Sequence, residues 1–204
     1  MIHCPSFSVR PIKFKKIRGS FDVTLITSAN AFPQWRSFPT TKRFVLIGRQ
    51  TALKRPSFVR SPLVLRESHS RGVIRFFKTQ NFGVKSIFYP RSQRGDAALV
   101  RQLRKLNFRV TVRNSYRLIE HSDFKARVRA LMERSDLKVF LLSSPSSFLF
   151  LKRRVGLRSL KRADVRLVAI GPTTQSFIAN YGLRCAEAPK QDLRALVRAG
   201  TRLR

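Results

Sequence analysis

Residues 167–183, "LVAIGPTTQSFIANYGL", have the pattern that decides the fold class. An apolar run ends at Ile170, as is typical of a buried strand. Gly171 and Pro172 then form a turn, and proline is favoured at the first position of a helix. A helical stretch follows and closes at Gly182. A buried strand that turns directly into a helix is the unit from which parallel α/β sheets are built.

Short apolar runs alternate with helical patterns along the rest of the chain. Strands are predicted at 23–27, 44–47, 86–89, 108–112, 138–142 and 166–170. Helices are predicted at 95–108 with Asp96 in the first turn, at 122–136 with Ser122 as N-cap, and at 190–200 with Gly200 as a C-cap signal. This alternation predicts α/β domains with parallel sheets.

An internal repeat divides the chain in two. The stretch "LITSANAF" (25–32) is similar to "LLSSPSSF" (141–148), and "FVLIGRQTAL" (44–53) is similar to "LVAIGPTTQSF" (167–177). The order strand, hydroxyl pair, helix, strand and Gly-x-x-Thr therefore occurs twice. Two copies in the same order predict two similar α/β domains, with a boundary near residues 114–121.

Hydroxyl side chains follow four of the predicted strands. The candidate ligand-binding residues are Thr27, Ser28, Gly48, Thr51, Ser143, Ser144, Gly171, Thr173 and Thr174. Ligands of open parallel sheets bind outside the carboxyl ends of the strands, and helix N-termini attract anions. Two domains that face each other with such edges would form an anion-binding cleft. Each hydroxyl also has the simpler interpretation of a helix cap, including Thr173 and Thr174.

The charge of the chain points to an anionic partner. There are 43 Lys and Arg residues against 10 Asp and Glu, which gives a formal net charge of +33. Residues 1–118 contain 25 of these bases and only three acids, Asp22, Glu67 and Asp96. Such a protein attracts nucleic acid, an anionic membrane or a small substrate with several carboxylates.

The residues needed for several other kinds of chemistry are missing. Cys4 and Cys185 form no CxxC motif, which favours a reduced, cytosolic protein without disulfides. The three histidines lack metal-ligand spacing, and we expect neither a metal nor a cofactor. No apolar run is long enough to cross a membrane, and no secretory signal is present. Without a nucleophile motif or a P-loop, an enzyme of this sequence would work by binding and positioning.

Four segments resemble the uroporphyrinogen-III synthase family. They are "LVAIGPTTQSFIANYGLRCAEAPKQDLRALVRA" (167–199), "FLLSSPSSF" (140–148), "LITSANA" (25–31) and "IFYPRSQRGDAALVRQLRKLNFRVTVRNSYRLI" (87–119). The similarity follows the family order over nearly the whole chain and is most specific at 167–183. It adds Arg91 and Ser146 to the candidate substrate-binding residues and draws attention to Tyr116.

The resemblance implies a fold of two three-layer α/β domains, joined by a two-stranded linker, with the ligand cleft between them. Carried onto this sequence, the inserted domain is 12–112, the linker is 1–11 with 113–119, and the terminal domain is 120–204. Family members usually begin with a strand and a helix that complete the terminal domain. This sequence begins after them, so we expect the terminal domain to be incomplete.

The resemblance also implies a reaction. The substrate is hydroxymethylbilane, a linear tetrapyrrole with eight carboxylates, which is closed through a spiro intermediate with inversion of the last pyrrole and release of water. No cofactor or metal takes part. Tyr116 would donate a proton to the leaving hydroxyl, although a packed linker aromatic is the alternative interpretation. We expect a cytoplasmic monomer that does not bind membranes and that transiently contacts porphobilinogen deaminase.

Two other functions remain open at this point. A net charge of +33 is compatible with a nucleic-acid-binding protein, or with non-specific nucleic-acid binding by an enzyme. The stretch "RFFKTQNF" (75–82) mixes bases with aromatics, but it favours an amphipathic helix followed by a turn. The second alternative is a non-catalytic remnant of the synthase.

Overall fold

The structure is a computed structural model that describes residues 4–65, 70–79, 83–95 and 97–203. The chain divides into two compact units. The first, which we call the inserted unit, is Val9–Leu118, and the second, the terminal unit, is Met1–Ser8 with Ile119–Arg204.

A six-stranded sheet forms the centre of the inserted unit. Its strands are β1 (Phe7–Pro11), β2 (Ser20–Ile26), β3 (Thr40–Ile47), β4 (Leu63–Leu65), β5 (Ser86–Ser92) and β6 (Arg109–Glu120), in the order β1-β6-β5-β2-β3-β4. β2 to β6 run parallel to one another. β1 runs antiparallel to β6, because the Ile12 amide donates to the Ser115 carbonyl and the His121 amide to the Ser6 carbonyl.

Helices cover both faces of this sheet. α2 (Ser70–Thr79) and α3 (Ala97–Lys105) bury their apolar sides against Val23, Val45 and Ile87. The other face is covered by a 3₁₀ helix (Ala29–Ser37) and by α1 (Arg49–Leu53), which pack on residues that include Ile26, Leu46 and Phe88. Because the side chains of a strand alternate between faces, β2 contributes Val23 and Leu25 to one core and Ile26 to the other.

The terminal unit has a smaller parallel sheet among its described residues. Its strands are β7 (Lys138–Leu142), β8 (Val165–Ala169) and β9 (Ala186–Glu187), in the order β7-β8-β9. Its helices are α4 (Phe124–Glu133), α5 (Pro145–Leu160), α6 (Pro172–Ala179) and α7 (Leu193–Thr201). α7 packs on Val168 through Ala195 and Leu196. α5 and α6 also pack on the sheet, where alternation turns Leu167 and Ala169 away from α7.

A carboxylate joins the amino ends of the strands in each unit. In the inserted unit, Asp22 of β2 accepts hydrogen bonds from the Ser86 amide and hydroxyl (3.0 and 2.8 Å), and from the Lys42 ammonium (2.8 Å). In the terminal unit, Asp164 pairs with the Lys138 ammonium at 2.8 Å, and the Lys138 side chain is only 4% exposed. These hydrogen bonds lower the pKa of Asp22, and lower the pKa of Asp164 to about 2.

The predicted fold class is confirmed: both sheets are dominated by parallel strands with helices between them. The internal repeat corresponds to β2, the 3₁₀ helix, β3 and α1 in one unit, and to β7, α5, β8 and α6 in the other. The helix predicted from "RFFKTQNF" is confirmed over residues 75–79, as the end of α2. Residues 80–82 and Asp96 lie outside the described residues.

Two predicted caps are wrong. The N-cap position of α4 is occupied by Asp123, without a side-chain cap hydrogen bond, rather than by Ser122. The Ser122 hydroxyl instead donates to the Asp123 carboxylate at 2.7 Å. Gly200 does not end α7, because the helix continues to Thr201. A side chain at Gly200 would clash with Leu141 of β7, so the glycine permits close packing of the helix on the sheet.

Candidate functional site

The carboxyl edge of the six-stranded sheet brings most of the inserted unit's candidates together. Thr27 and Ser28 follow β2, and Gly48 follows β3, its parallel neighbour. Arg91 lies near the end of β5, on the other side of β2. Tyr116 lies in β6, opposite Ser92 of β5. Adjacent parallel strands end at the same edge, so the sheet order places these groups along one edge.

Tyr116 has the surroundings of a protonated hydrogen-bonding group. Its side chain is 8% exposed and packs in the same core cluster as Phe88. Burial raises the pKa of the Tyr116 phenol, and a hydrogen bond with the Ser28 side chain opposes this effect in part. A phenol in this environment keeps its proton near neutral pH and can donate it.

A second tyrosine at this edge was not singled out by the sequence. The Tyr89 hydroxyl of β5 lies 3.2 Å from the Thr27 hydroxyl, and the Tyr89 ring is buried in the other core. The only signal was the position of Tyr89 at the end of the apolar run "SIFY". Such a run predicts a buried strand and says nothing about the hydroxyl. Each hydroxyl of the pair Thr27-Ser28 therefore bonds to a tyrosine from a different strand.

Arg91 has a buried N–H donor without a partner among the described residues. Its Nη1 donates to the Gly95 carbonyl at 2.9 Å, and its own carbonyl accepts from the Ser115 hydroxyl at 3.2 Å. Its Nε is buried and has no hydrogen-bond partner among the described residues. A buried cationic N–H without an acceptor is costly, and a carboxylate is the acceptor that suits it best.

Gly48 and Thr51 are engaged in the structure of their own turn. Gly48 has φ 79°, a conformation that glycine adopts most readily, and its amide donates to the Leu65 carbonyl at 2.8 Å. Thr51 is buried within the short helix α1. The Gly48 amide therefore joins β3 to β4 and is not free for a ligand.

The hydroxyl turn that follows β7 is mainly a helix cap. Ser144 and Ser147 form a capping box, in which the Ser147 amide donates to Ser144 Oγ at 3.2 Å and the Ser144 amide donates to Ser147 Oγ at 3.1 Å. Ser143 is exposed and Ser146 is half-buried. Ser143 therefore remains the serine of this turn with the most accessible side chain.

The turn that follows β8 is built from backbone groups. Gly171 is the N-cap of α6, and its carbonyl accepts from the amides of Thr174 and Gln175, both at 3.1 Å. The prediction that Thr173 and Thr174 cap this helix is wrong, because no side chain makes the cap hydrogen bond. Thr174 is only 3% exposed, whereas Thr173 is exposed. The Thr173 amide lies in the first turn, where amides have no intrahelical acceptor.

The cysteines have unreactive thiols, and the possible metal ligands are scattered over the described residues. Burial raises the pKa of the Cys4 thiol, and raises that of Cys185 to about 11, so both thiols are weak nucleophiles near neutral pH. In the described ranges, no group of three or more His, Cys, Asp or Glu side chains could hold a metal ion. No helix within those ranges has the length and apolar composition needed to cross a bilayer.

Comparison with known proteins identifies the family. The family model of uroporphyrinogen-III synthase HemD matches residues 1–198. A search of curated proteins by sequence finds no match. The structure is similar to that of uroporphyrinogen-III synthetase from Helicobacter pylori 26695, with a TM-score of 0.66 and 13% identity, covering 98% of this chain and 91% of that one.

A second similar structure is a mutant uroporphyrinogen III synthase from the extremely thermophilic bacterium Thermus thermophilus. Its TM-score is 0.66 at 12% identity, and the match covers 98% of this chain and 87% of that chain. At such low identity the two structures show a shared fold, while the family model spans most of the sequence. The chain belongs to the uroporphyrinogen-III synthase family.

Proposed function

We propose that this protein converts hydroxymethylbilane to uroporphyrinogen III, with inversion of the last pyrrole ring and loss of water. The family match over residues 1–198 supports this reaction. The chain has 43 bases and only 10 acids, and this positive charge suits a substrate with eight carboxylates.

The buried phenol of Tyr116 is the observation that supports this proposal best. In the first step, Tyr116 donates its proton to the terminal hydroxyl of the substrate, the C–O bond breaks, and water leaves. The raised pKa of Tyr116 keeps the proton available until the substrate arrives. Ring closure through the spiro intermediate then requires that the chain ends be held in place, which is a matter of positioning.

Three groups are the best candidates for binding carboxylates. Arg91 has a buried Nε without a partner among the described residues, and a substrate carboxylate would supply the acceptor. Ser143 and Thr173 are exposed at the ends of β7 and β8, where helix N-termini favour anions. Thr27 and Ser28 act through the tyrosines that they contact. The other candidate residues shape the turns, namely Gly48, Thr51, Ser144, Ser146, Gly171 and Thr174.

The domain partition and the cellular setting belong to the same proposal. We propose an inserted domain of 12–112, linker strands in 1–11 and 113–119, and a terminal domain of 120–204. The division of the chain at Val9 and Leu118 supports an inserted domain. Two free thiols, Cys4 and Cys185, suit a reducing cytoplasm, where a monomer would receive its unstable substrate by transient contact with porphobilinogen deaminase.

An isomer assay tests the proposed reaction. Hydroxymethylbilane is generated in situ with porphobilinogen deaminase and the protein is added. The products are then oxidised, and the porphyrin isomers are separated. Spontaneous closure gives the type I isomer, so we expect the type III isomer to dominate when the protein is present. A type III fraction equal to that of the protein-free control would overturn the proposal and favour the non-catalytic remnant.

A further inference from the structure

The inserted unit has far more positive charge than its own acids can neutralise. All 25 bases of residues 1–118 lie within the span of this unit, together with only three acids. Even if each acid paired with a different base, 22 bases would lack a carboxylate partner within this unit. The described acid, Asp22, is already bonded to Lys42 and to the amino end of β5. The excess charge of this unit is therefore not neutralised by its own acids, and it attracts anions from outside the unit.

Part of this charge lies in one ordered segment. We call residues 12–19, between β1 and β2, the basic strap. Phe14 and Ile17 pack into the core on the side of the sheet covered by the 3₁₀ helix, while Lys13, Lys15, Lys16 and Arg18 are exposed. The apolar anchors hold the backbone against the sheet. The four exposed cations are thus held on a segment that is anchored to the sheet.

An exposed aromatic side chain lies beside the strap. The Ile17 amide donates to the Ser37 carbonyl at 3.2 Å, which fixes the strap next to the end of the 3₁₀ helix. Trp35 in that helix is 39% exposed, although its ring stacks on Phe58 at 4.3 Å. The Arg36 guanidinium lies 5.3 Å from the Trp35 ring centroid. The surface therefore combines cations with an indole that is 39% exposed and that already contacts Phe58 and Arg36.

A concave region continues this surface. Phe58, the stacking partner of Trp35, belongs to a loop that borders an open depression of about 650 Å³. Two arginines and two serines contribute to its lining, namely Arg55, Ser57, Arg60 and Ser61. Such a lining offers cationic and hydroxyl donors for phosphate oxygens.

We propose that this surface, the basic face formed by Lys13, Lys15, Lys16, Arg18, Trp35 and Arg36, binds single-stranded nucleic acid. Proteins bind single strands by combining a cationic track for the backbone with aromatic side chains on which bases stack. Charge alone would suit a duplex or an anionic membrane equally. The exposed indole beside a cationic depression favours unpaired bases, which have free faces. This activity is additional to the synthase reaction and does not depend on it.

Two readouts test the proposal. Anisotropy of a labelled oligo-dT of about 16 nucleotides measures affinity, and its salt dependence counts the neutralised phosphates at about −0.7 per contact. Trp35 is the only tryptophan in the sequence, so quenching of intrinsic fluorescence reports stacking at this surface. We expect saturable quenching by oligo-dT. Anisotropy without quenching, or equal affinity for a duplex or for vesicles that contain anionic lipid, would overturn the proposal.

A matched pair of double variants tests whether binding depends on the basic face or only on total charge. Lys15→Gln with Lys16→Gln removes two charges from the face, and Arg101→Gln with Lys105→Gln removes two exposed charges from α3, which packs on the other side of the sheet. We expect the first pair to reduce the salt slope by about 1.4 and the second to leave it nearly unchanged. Equal effects would show that only total charge matters and would overturn the proposal.

A third variant tests stacking separately from charge. Trp35→Leu removes the indole and retains an apolar contact for Phe58, and its thermal unfolding is compared with that of the wild type. We expect affinity for oligo-dT to fall by at least about fivefold, with an unchanged salt slope. Unchanged affinity in a folded variant would contradict a stacking role. Synthase turnover should be the same in all of these variants.

Discussion

The carboxyl edges of the two sheets are built from the same sequence pattern, yet their hydroxyl groups bond differently. In the inserted unit, Thr27 and Ser28 bond to the phenols of Tyr89 and Tyr116. In the terminal unit, Ser144 bonds to Ser147 within its own turn. β2 has β5 and β6 on one side to supply tyrosines, whereas β7 is the edge strand of its described sheet. Ser28 also caps its own helix, because its side chain accepts from the Asn30 amide at 3.3 Å. The strands beside a turn therefore decide whether a capping hydroxyl also meets a tyrosine.

Substitutions in the hydrophobic cores should have the largest effects on stability, and they show whether the two units unfold independently. Phe88 is fully buried in the inserted unit against Phe21 and Phe38, and Phe148 is fully buried in the terminal unit against Tyr181. Replacement of either by alanine should lower the free energy of unfolding by about 4 kcal/mol, because it leaves a cavity. Urea denaturation measures the loss.

Limited proteolysis then shows which unit opens. Early cleavage is expected within Val9–Leu118 for Phe88→Ala and within Ile119–Arg204 for Phe148→Ala. The same cleavage pattern for both variants would mean that the two units do not open independently.

The paired serines test whether contact with a tyrosine distinguishes the two turns. Ser28→Ala removes the group that bonds to Tyr116, and we expect turnover to fall about tenfold, as for loss of one hydrogen bond. It also removes the cap hydrogen bond of the 3₁₀ helix, so stability should fall by about 1 kcal/mol. Ser144→Ala removes a capping box and should cost about 1 kcal/mol of stability with a smaller effect on turnover. Ser28→Thr, which keeps the hydroxyl, is the control. If Ser144→Ala impaired turnover as much as Ser28→Ala, the two edges would be functionally equivalent.

The two turn glycines should respond differently to alanine. Gly48 has φ 79°, so Gly48→Ala strains the backbone by about 1 kcal/mol. This strain comes from the backbone conformation and does not depend on contacts with surrounding side chains. Gly171 has φ −179°, which any residue adopts, but a Cβ there would lie 2.8 Å from Cγ of Gln191. We expect Gln191→Ala to restore the melting temperature of Gly171→Ala and not that of Gly48→Ala. Rescue of both variants would argue against strain at Gly48.

The amino-end carboxylates are tested by the pH dependence of stability. The folded-state pKa values of Asp22 and Asp164 are below the ordinary value of about 3.9. Their stabilisation is therefore complete above that value and is lost as the pH falls, for Asp164 through about 2. Asp22→Asn and Asp164→Asn should each flatten the dependence of melting temperature on pH between about 5 and 2. A profile parallel to that of the wild type would contradict these pairings.

The local pattern of apolar residues was sufficient to predict the strands that are followed by a turn containing glycine, serine or threonine. The apolar runs at 44–47 and 138–142 lie within β3 and β7, because burial on both faces requires continuous hydrophobic residues. β4 was not predicted, since three residues are too short to show a period. Ser122 and Asp123 are both good N-caps, and sequence alone could not choose between them.

The partners of the site residues could not be predicted, since they depend on sheet order. Tyr116 and Ser28 are far apart in the sequence, and they come together because β6 and the turn after β2 lie on either side of β5 at the same edge of the sheet. The internal repeat predicted equivalent turns in both units but not that Tyr89 and Tyr116 would accompany only one of them. Long-range strand pairing is the physical information that the local pattern lacks.

The rate of type III porphyrin formation by Tyr116→Phe tests the proposed role of the inserted unit's edge. Tyr181→Phe is the matched control, because Tyr181 lies in the terminal unit with Phe148 and Phe177. If the phenol of Tyr116 donates the proton, its loss should slow the reaction about 100-fold while thermal stability stays close to that of the wild type. A Tyr116→Phe enzyme as fast as Tyr181→Phe would contradict that role.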